Sequence, residues 1–139
     1  MLDSPAASGG TRVFVVTEVG SGQVVADYAW CMAQLSLDAA PERVRRGVGR
    51  DPQPVALLAR LGVDSRHEGR GIGAGMIRDV LLRFVAVAEE IGARALLVHA
   101  ESETARDYYL HLIPHFLSSP SDPLHLVLRA KDLRHTLRG

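Results

Sequence analysis

Apolar and polar positions follow one another along this chain in two rhythms, alternation or short runs in some stretches and helical spacing in others. "TRVFVV" (11–16) and "QVVADYAWCMA" (23–33) are β-branched and aromatic runs separated by "EVGSGQ", which predicts a hairpin with a glycine turn. "LDAAPERVRRGVGRDPQP" (37–54) is polar and holds three prolines and two glycines, the composition of a surface connection. "VALLARLGV" (55–63) is a mostly apolar run of strand length, suited to a central strand buried on both faces.

From Gly71 to Ile91 the rhythm changes. Ile72, Met76, Ile77, Val80, Leu81, Phe84, Val85 and Ala88 recur at helical spacing, and Gly92 supplies the stop. "RALLVHA" (94–100) reads as another strand. "SETARDYYLHL" (102–112) reads as a helix capped by Ser102, acidic in its first turn and stopped by Pro114. "PLHLVLRA" (123–130) alternates into a last strand, and residues 131–139 form a basic tail. The order β-β-β-α-β-α-(β)-β begins antiparallel and contains one parallel crossover. It predicts an α/β (α+β) domain with a mixed central sheet flanked by helices, filling 1–139 as one unit with 1–10 disordered.

Composition narrows the class. Hydrophobic residues make up 47% and charged residues 23%, ordinary for a soluble globular protein. Sixteen basic residues balance sixteen acidic ones, which argues against coating nucleic acid through bulk charge and leaves local patches open. Cys31 is the only cysteine, so an internal disulfide is excluded and a cytoplasmic setting is expected. "MLDSPAASGG" (1–10) lacks the pattern of a signal peptide, and no apolar run suggests a membrane span.

The candidate chemistry lies in "SRHEGRGIGAGM" (65–76), where glycines occupy positions 69, 71, 73 and 75 between a strand and a helix. Such a loop exposes backbone N–H groups at the positive end of a helix, a site for phosphate oxygens. A P-loop would end in Gly-Lys-Ser/Thr, and this stretch has no lysine. The dinucleotide pattern matches formally at Gly69, Gly71 and Ala74. It should open its domain and carry an acid near a later strand end, whereas here three strands come first and Glu89 and Glu90 fall on the helix.

The third match is R-x-x-G-x-G at Arg66, Gly69 and Gly71, followed by a helix, "ALLVHA" and "ETARDYY". This resembles the acetyl-coenzyme A loop of the GNAT N-acetyltransferases. "PVALLARLGVD", "GRGIGAGMIRDVLLR", "RALLVHAESETARDYY" and "FLSSPSDPLHLVLRAKDL" are similar to GNAT toxins of the TacT type, with "SDPL" (121–124) the most specific element. The likeness spans most of 11–133. It implies a GNAT fold and an acetyl-CoA-dependent enzyme, without a metal, that acetylates the α-amino group of aminoacyl-tRNA and so blocks translation. It also implies a ribbon-helix-helix antitoxin as partner and a homodimer.

Carried onto this chain, the resemblance implies that strand 55–63 splays from strand 94–100, freeing Leu61, Gly62 and Val63 to pair with the pantetheine arm. Amides of Gly69, Arg70, Gly71, Ile72, Gly73 and Ala74 would hold the pyrophosphate, with Arg66 and Arg70 adding charge. Tyr109 would be the general acid to the leaving thiolate, its alternative being a packing role; Tyr108 is assigned to packing. No general base stands out. An α-amino group titrates near ~8 against ~10.4 for lysine, so an α-amino acceptor leaves water able to take the proton. Arg43, Arg45, Arg46 and Arg50, and Arg129, Lys131, Arg134 and Arg138, are candidates for tRNA phosphate contacts or are simply solvated.

Histidines 67, 99, 111, 115, 125 and 135 show no metal spacing and read as structural or surface groups, and Cys31 as a small apolar one. GNAT toxins usually carry a strand and two helices before the hairpin, about 40 residues by average element lengths. Only "MLDSPAASGG" stands there, which predicts an open sheet edge and a more open acceptor side, from a late-assigned start or a truncation. Two other functions stay open: acetylation of a small amine or protein N-terminus, and a non-catalytic remnant that binds coenzyme or antitoxin.

Overall fold

A computed structural model of the protein describes residues 2–3, 11–36, 38–45, 52–69 and 71–133. Their seven-stranded sheet runs β1-β2-β3-β4-β5-β7-β6, built from β1 (Leu2–Asp3), β2 (Thr11–Thr17), β3 (Val24–Leu35), β4 (Gln53–Val63), β5 (Ala95–His99), β6 (Leu117–Ser118) and β7 (His125–Arg129). Every neighbouring pair is antiparallel except β4 with β5. That exception is the crossover through α2 (Ile72–Ile91), as the helical run between two apolar strands predicts. Two further helices, α1 (Glu42–Arg45) and α3 (Glu103–Leu112), pack against the sheet.

Both faces of the sheet are covered. On one, Met76, Val80 and Phe84 of α2, Tyr109 of α3 and Ile113 just after α3 are buried against Leu96, Val98, Leu126 and Leu128. On the other, Val44 of α1 and Ala40 pack with Leu35, Val55, Ala95, Leu97 and Val127. The alternation along β5 and β7 therefore assigns each residue to a face, as the pleat requires.

The hairpin is tied to α2 by one polar cluster. Tyr28, fully buried, donates to Asp79 Oδ2 at 2.7 Å, and Arg83 Nε donates to the same oxygen at 2.7 Å. The Arg83 guanidinium also sits 4.3 Å from the Phe14 ring centre, and Phe14 stacks on Tyr28. Burial foremost, and then Asp79, push the Tyr28 phenol up, so it stays a donor at neutral pH.

Two sequence expectations are corrected, and of residues 1–10 only Leu2 and Asp3 are described, pairing with Val16 and Val15 on the β2 edge. The stretch from 131 is not simply a basic tail: 130–133 are helical, Leu133 is 1% exposed in the core, and Arg129 binds Asp132 at 2.7 Å. The connection 37–54 contains α1 and already joins β4 at Gln53.

Helix α2 begins and ends on left-handed glycines, Gly71 (φ 77°) and Gly92 (φ 69°). Gly71→Ala should destabilise the protein by about 1–2 kcal/mol through backbone strain alone. Gly75→Ala, in the first turn with open space for a Cβ, should stabilise it by up to about 1 kcal/mol. Tyr28→Phe should cost about 1.5 kcal/mol, the hydrogen bond to a charged acceptor. Urea unfolding of the three variants checks all three values.

Candidate active site

The site starts where β4 and β5 part. Their parallel ladder runs from Val55↔Ala95 to Leu58↔Val98 and stops, while β4 continues to Val63 against β3 alone. A bulge marks the parting: Ala29 faces Arg60 and Trp30 faces Leu58, leaving Ala59 as an extra residue. The extra residue switches parity. Ala56 and Leu58 point to the α2 face before it, and Leu61 and Val63 do so after it. Arg60 is thereby turned to the opposite face, where it binds Asp27 of β3 at 2.5 Å.

The gap left by the parting is a cleft lined by Leu58, Arg60, Leu61, His99, Glu101 and Tyr109, with Ala59 and Ala105. Tyr109 enters it from α3. Adjacent helical residues point about 100° apart, so only one of the two tyrosines can face the core. That one is Tyr109, 7% exposed and edge-on to Phe116 at 6.3 Å, while Tyr108 is 42% exposed. Tyr108 packs at the surface and not in the core. Its hydroxyl lies over the start of α2, 2.7 Å from where a Cβ on Gly73 would be.

Among the described residues the Tyr109 hydroxyl has no hydrogen-bond partner. Burial foremost, with Glu101 and Tyr108 nearby, pushes its phenol up to about 12. A proton therefore stays on that oxygen throughout the neutral range.

At the end of β4, Asp64 starts a 3₁₀ turn (Ser65–His67) by accepting from Arg66 N at 2.9 Å. The same carboxylate holds the Arg66 guanidinium, at 3.3 Å from Nε and 3.1 Å from Nη2. Gly69 (φ 82°) and Gly71 then turn the chain into α2. Gly71 has no side chain to cap the helix, and the first helical bond is Gly75 N to Gly71 O. The amides of Ile72, Gly73 and Ala74 are left as a cluster of donors at the positive helix end. Leu61, Gly62, Val63, Arg66, Gly69, Gly71, Ile72, Gly73 and Ala74 thus follow one path from the cleft to the helix start. Arg70 lies outside the described residues.

The arginines form a second feature at the other end of the sheet. Arg43 and Arg45 are exposed on α1, and Arg43 lines a groove with Arg94, Arg129 and Lys131. Two stretches far apart in sequence meet there, joined by Arg94, which sequence pattern alone did not single out. Four residue steps along β5, about 13 Å, separate this end from the cleft. Arg46, Arg50, Arg134, His135 and Arg138 lie outside the described residues.

Sequence pattern also gave no notice of Asp27, Glu101 or the role of His99 as a wall of the cleft. Arg60 was signalled only as the arginine of the strand before the glycine loop, a feature of the family resemblance, with no role attached to it. No group of three or more His, Cys, Asp or Glu among the described residues is placed to hold a metal. No helix among them is long and apolar enough to cross a membrane.

No family model matches the chain. It is 47% identical over 126 residues to a tRNA-acetylating toxin of Mycobacterium tuberculosis (strain ATCC 25618 / H37Rv), an alignment spanning 91% of this chain and 73% of the relative. It is 31% identical over 129 residues to a probable toxin TacT of Sinorhizobium fredii (strain NBRC 101917 / NGR234), spanning 88% of this chain and 71% of the relative. Among solved structures, AtaT complexed with acetyl-methionyl-tRNAfMet superposes with a TM-score of 0.81 at 20% identity, over 91% of this chain and 75% of that one. AtaTR bound with AcCoA superposes with a TM-score of 0.75 at 21% identity, over 91% and 74%. A mutant of KacT gives 0.81 at 18% identity, over 90% and 74%. The structures share the fold, and the identity and coverage of the two sequence relatives place the chain in its family: it belongs to the TacT-type GNAT toxins.

Proposed function

We infer that the protein is an acetyl-CoA-dependent N-acetyltransferase that modifies the α-amino group of aminoacyl-tRNA and serves as the toxin of a toxin–antitoxin pair. One observation carries this reading: the gap between β4 and β5 joins the donor amides at the start of α2 to the Tyr109 phenol, unpartnered among the described residues, in a chain 47% identical to a tRNA-acetylating toxin. A solved structural neighbour is AtaT bound to the C-terminus of the antitoxin AtaR, which supports an antitoxin as partner here, in our reading a ribbon-helix-helix protein.

The residues present suit acetyl-CoA. A diphosphate needs several donors and little steric hindrance, which Gly69, Gly71 and the amides of Ile72, Gly73 and Ala74 supply, with Arg66 and Arg70 adding charge. An amide-bearing arm needs a strand edge to pair with, and Leu61–Val63 have no β5 neighbour. When bound, acetyl-CoA supplies a thioester, an acetyl group activated toward amines. Tyr109 holds its proton for the departing sulfur. Its raised pKa weakens it as an acid, but a thiolate leaving into the same buried cleft is desolvated too and binds a proton more tightly.

The acceptor side supports tRNA. Arg43 and Arg45 stand on α1, on the face opposite α2 and α3, and the groove of Arg43, Arg94, Arg129 and Lys131 offers phosphate contacts at a distance from the cleft. Arg46 belongs to the same basic stretch in sequence.

Tyr109→Phe should leave acetyl-CoA retention in equilibrium dialysis within about twofold of wild type and lower kcat on charged tRNA by about 100-fold. A variant that transfers at the wild-type rate overturns the acid role. Because the phenol sits near 12, it should cause no alkaline decline in kcat below about pH 10. Replacing Arg43, Arg45 and Arg46 together by Ala should weaken tRNA binding and reduce its salt slope by about one unit for each phosphate no longer neutralised. Turnover on free amines at the rate seen with charged tRNA would favour a small-amine enzyme instead.

A further inference from the structure

We propose that His99 accepts the proton released by the acceptor amine, working from the face of the sheet opposite Tyr109. The proposal rests on the transferase reading above. Its basis is where the pleat places each group around the gap. Along β5, Leu96 and Val98 join the core under α2 and α3, whereas Ala95 and Leu97 join the core under α1. His99 continues the second series. Its partner across the ladder, His125, continues the series of Val127 on the same face. Tyr109 comes from α3 on the first face, yet His99 and Tyr109 line one cleft, because the parting of β4 from β5 opens the sheet there. An acetyl group held in the gap would thus have a proton donor on one side and an imidazole on the other.

The surroundings of His99 favour a neutral ring. It stacks on His125 with centroids 3.8 Å apart and planes 12° from parallel. His125 Nε2 in turn lies 3.3 Å from Asp122 Oδ2. Burial against its neighbours is the largest cause holding His99 below the usual histidine range, and repulsion from His125 adds to it; Asp122 acts the other way. The other ionisable groups around the cleft are Glu101, Tyr109 and Arg60, the last bound to Asp27. An imidazole neutral at pH 7 is able to take a proton there.

The step balances without another reactant. The neutral amine nitrogen bonds to the acetyl carbonyl carbon, and the carbon–sulfur bond breaks. The departing sulfur takes the Tyr109 proton, and the nitrogen loses its surplus proton to His99. Solvent then returns a proton to Tyr109 and removes one from His99, leaving amide and thiol.

The test uses the full chain, labelled acetyl-CoA and bulk charged tRNA, with kcat/KM followed from pH 5 to 8.5. Wild type should fall with a slope of two at low pH, because both the amine and His99 must be unprotonated. His99→Gln should lose about 100-fold in kcat/KM at pH 7 and fall with a slope of one, with acetyl-CoA retention in dialysis unchanged. His125→Leu removes the charge of the stacked partner while keeping its bulk, so the lost repulsion raises the His99 pKa and the acid limb should move to higher pH. His99→Gln within threefold of wild type, or with the slope of two intact, overturns the assignment alone. A His125→Leu protein whose acid limb stays in place overturns it as well. A wild-type protein that binds acetyl-CoA and acetylates no charged tRNA overturns the transferase reading and this assignment together.

Discussion

The extra residue at Ala59 and the end of the β4–β5 ladder at Leu58↔Val98 set the shape of everything that follows. A continuous parallel sheet has no room between its strands for a ligand, since each backbone group is taken by the next strand. Here β4 stays with β3 for five more residues while β5 pairs on with β7. The bulge turns Leu61 and Val63 toward the core beneath α2 and sends Arg60 to the other face. Where the β4–β5 ladder ends, residues from both faces of the sheet line one cleft, which gives it two chemically different mouths.

The two mouths divide the work. On the α2 and α3 side lie the phenol of Tyr109 and the donor cluster at the start of α2. On the α1 side lie the paired imidazoles, the Arg60–Asp27 pair and the basic groove further along. Sheet pleating keeps these sets apart without any loop to screen them. Proton donor and proton acceptor can then sit close to one reacting centre without neutralising each other directly.

The rigid parts and the adaptable parts are also separated. Tyr28, Asp79, Arg83 and Phe14 lock the hairpin onto α2, so the helix start is carried on a packed element. The turn before it is held by Asp64 and Arg66, with positive φ at Gly69 and Gly71. Preorganised backbone donors on such a base lose little on binding a diphosphate.

Local patterns in the sequence were enough for the elements. β-Branched runs, helical spacing from Ile72 to Ala88, the Ser102 cap and the Gly92 stop reappear in the structure almost residue for residue, because each depends on near neighbours. The glycine spacing with Arg66 likewise pointed to a phosphate loop from local chemistry alone. Pairings between distant residues were beyond that reach. Parity along β4 breaks at a bulge whose cause lies in the β3 register, so Arg60 could not be given a face from the strand's own pattern. His99 and His125, 26 positions apart and ordinary histidines by their spacing, become a stacked pair only through the β5–β7 ladder. The meeting of Arg43 with Arg94, Arg129 and Lys131 likewise depended on how α1 docks on the sheet. Helix and strand periods are written in adjacent residues; register and docking are settled only when the whole chain minimises its exposed apolar surface and unpaired backbone.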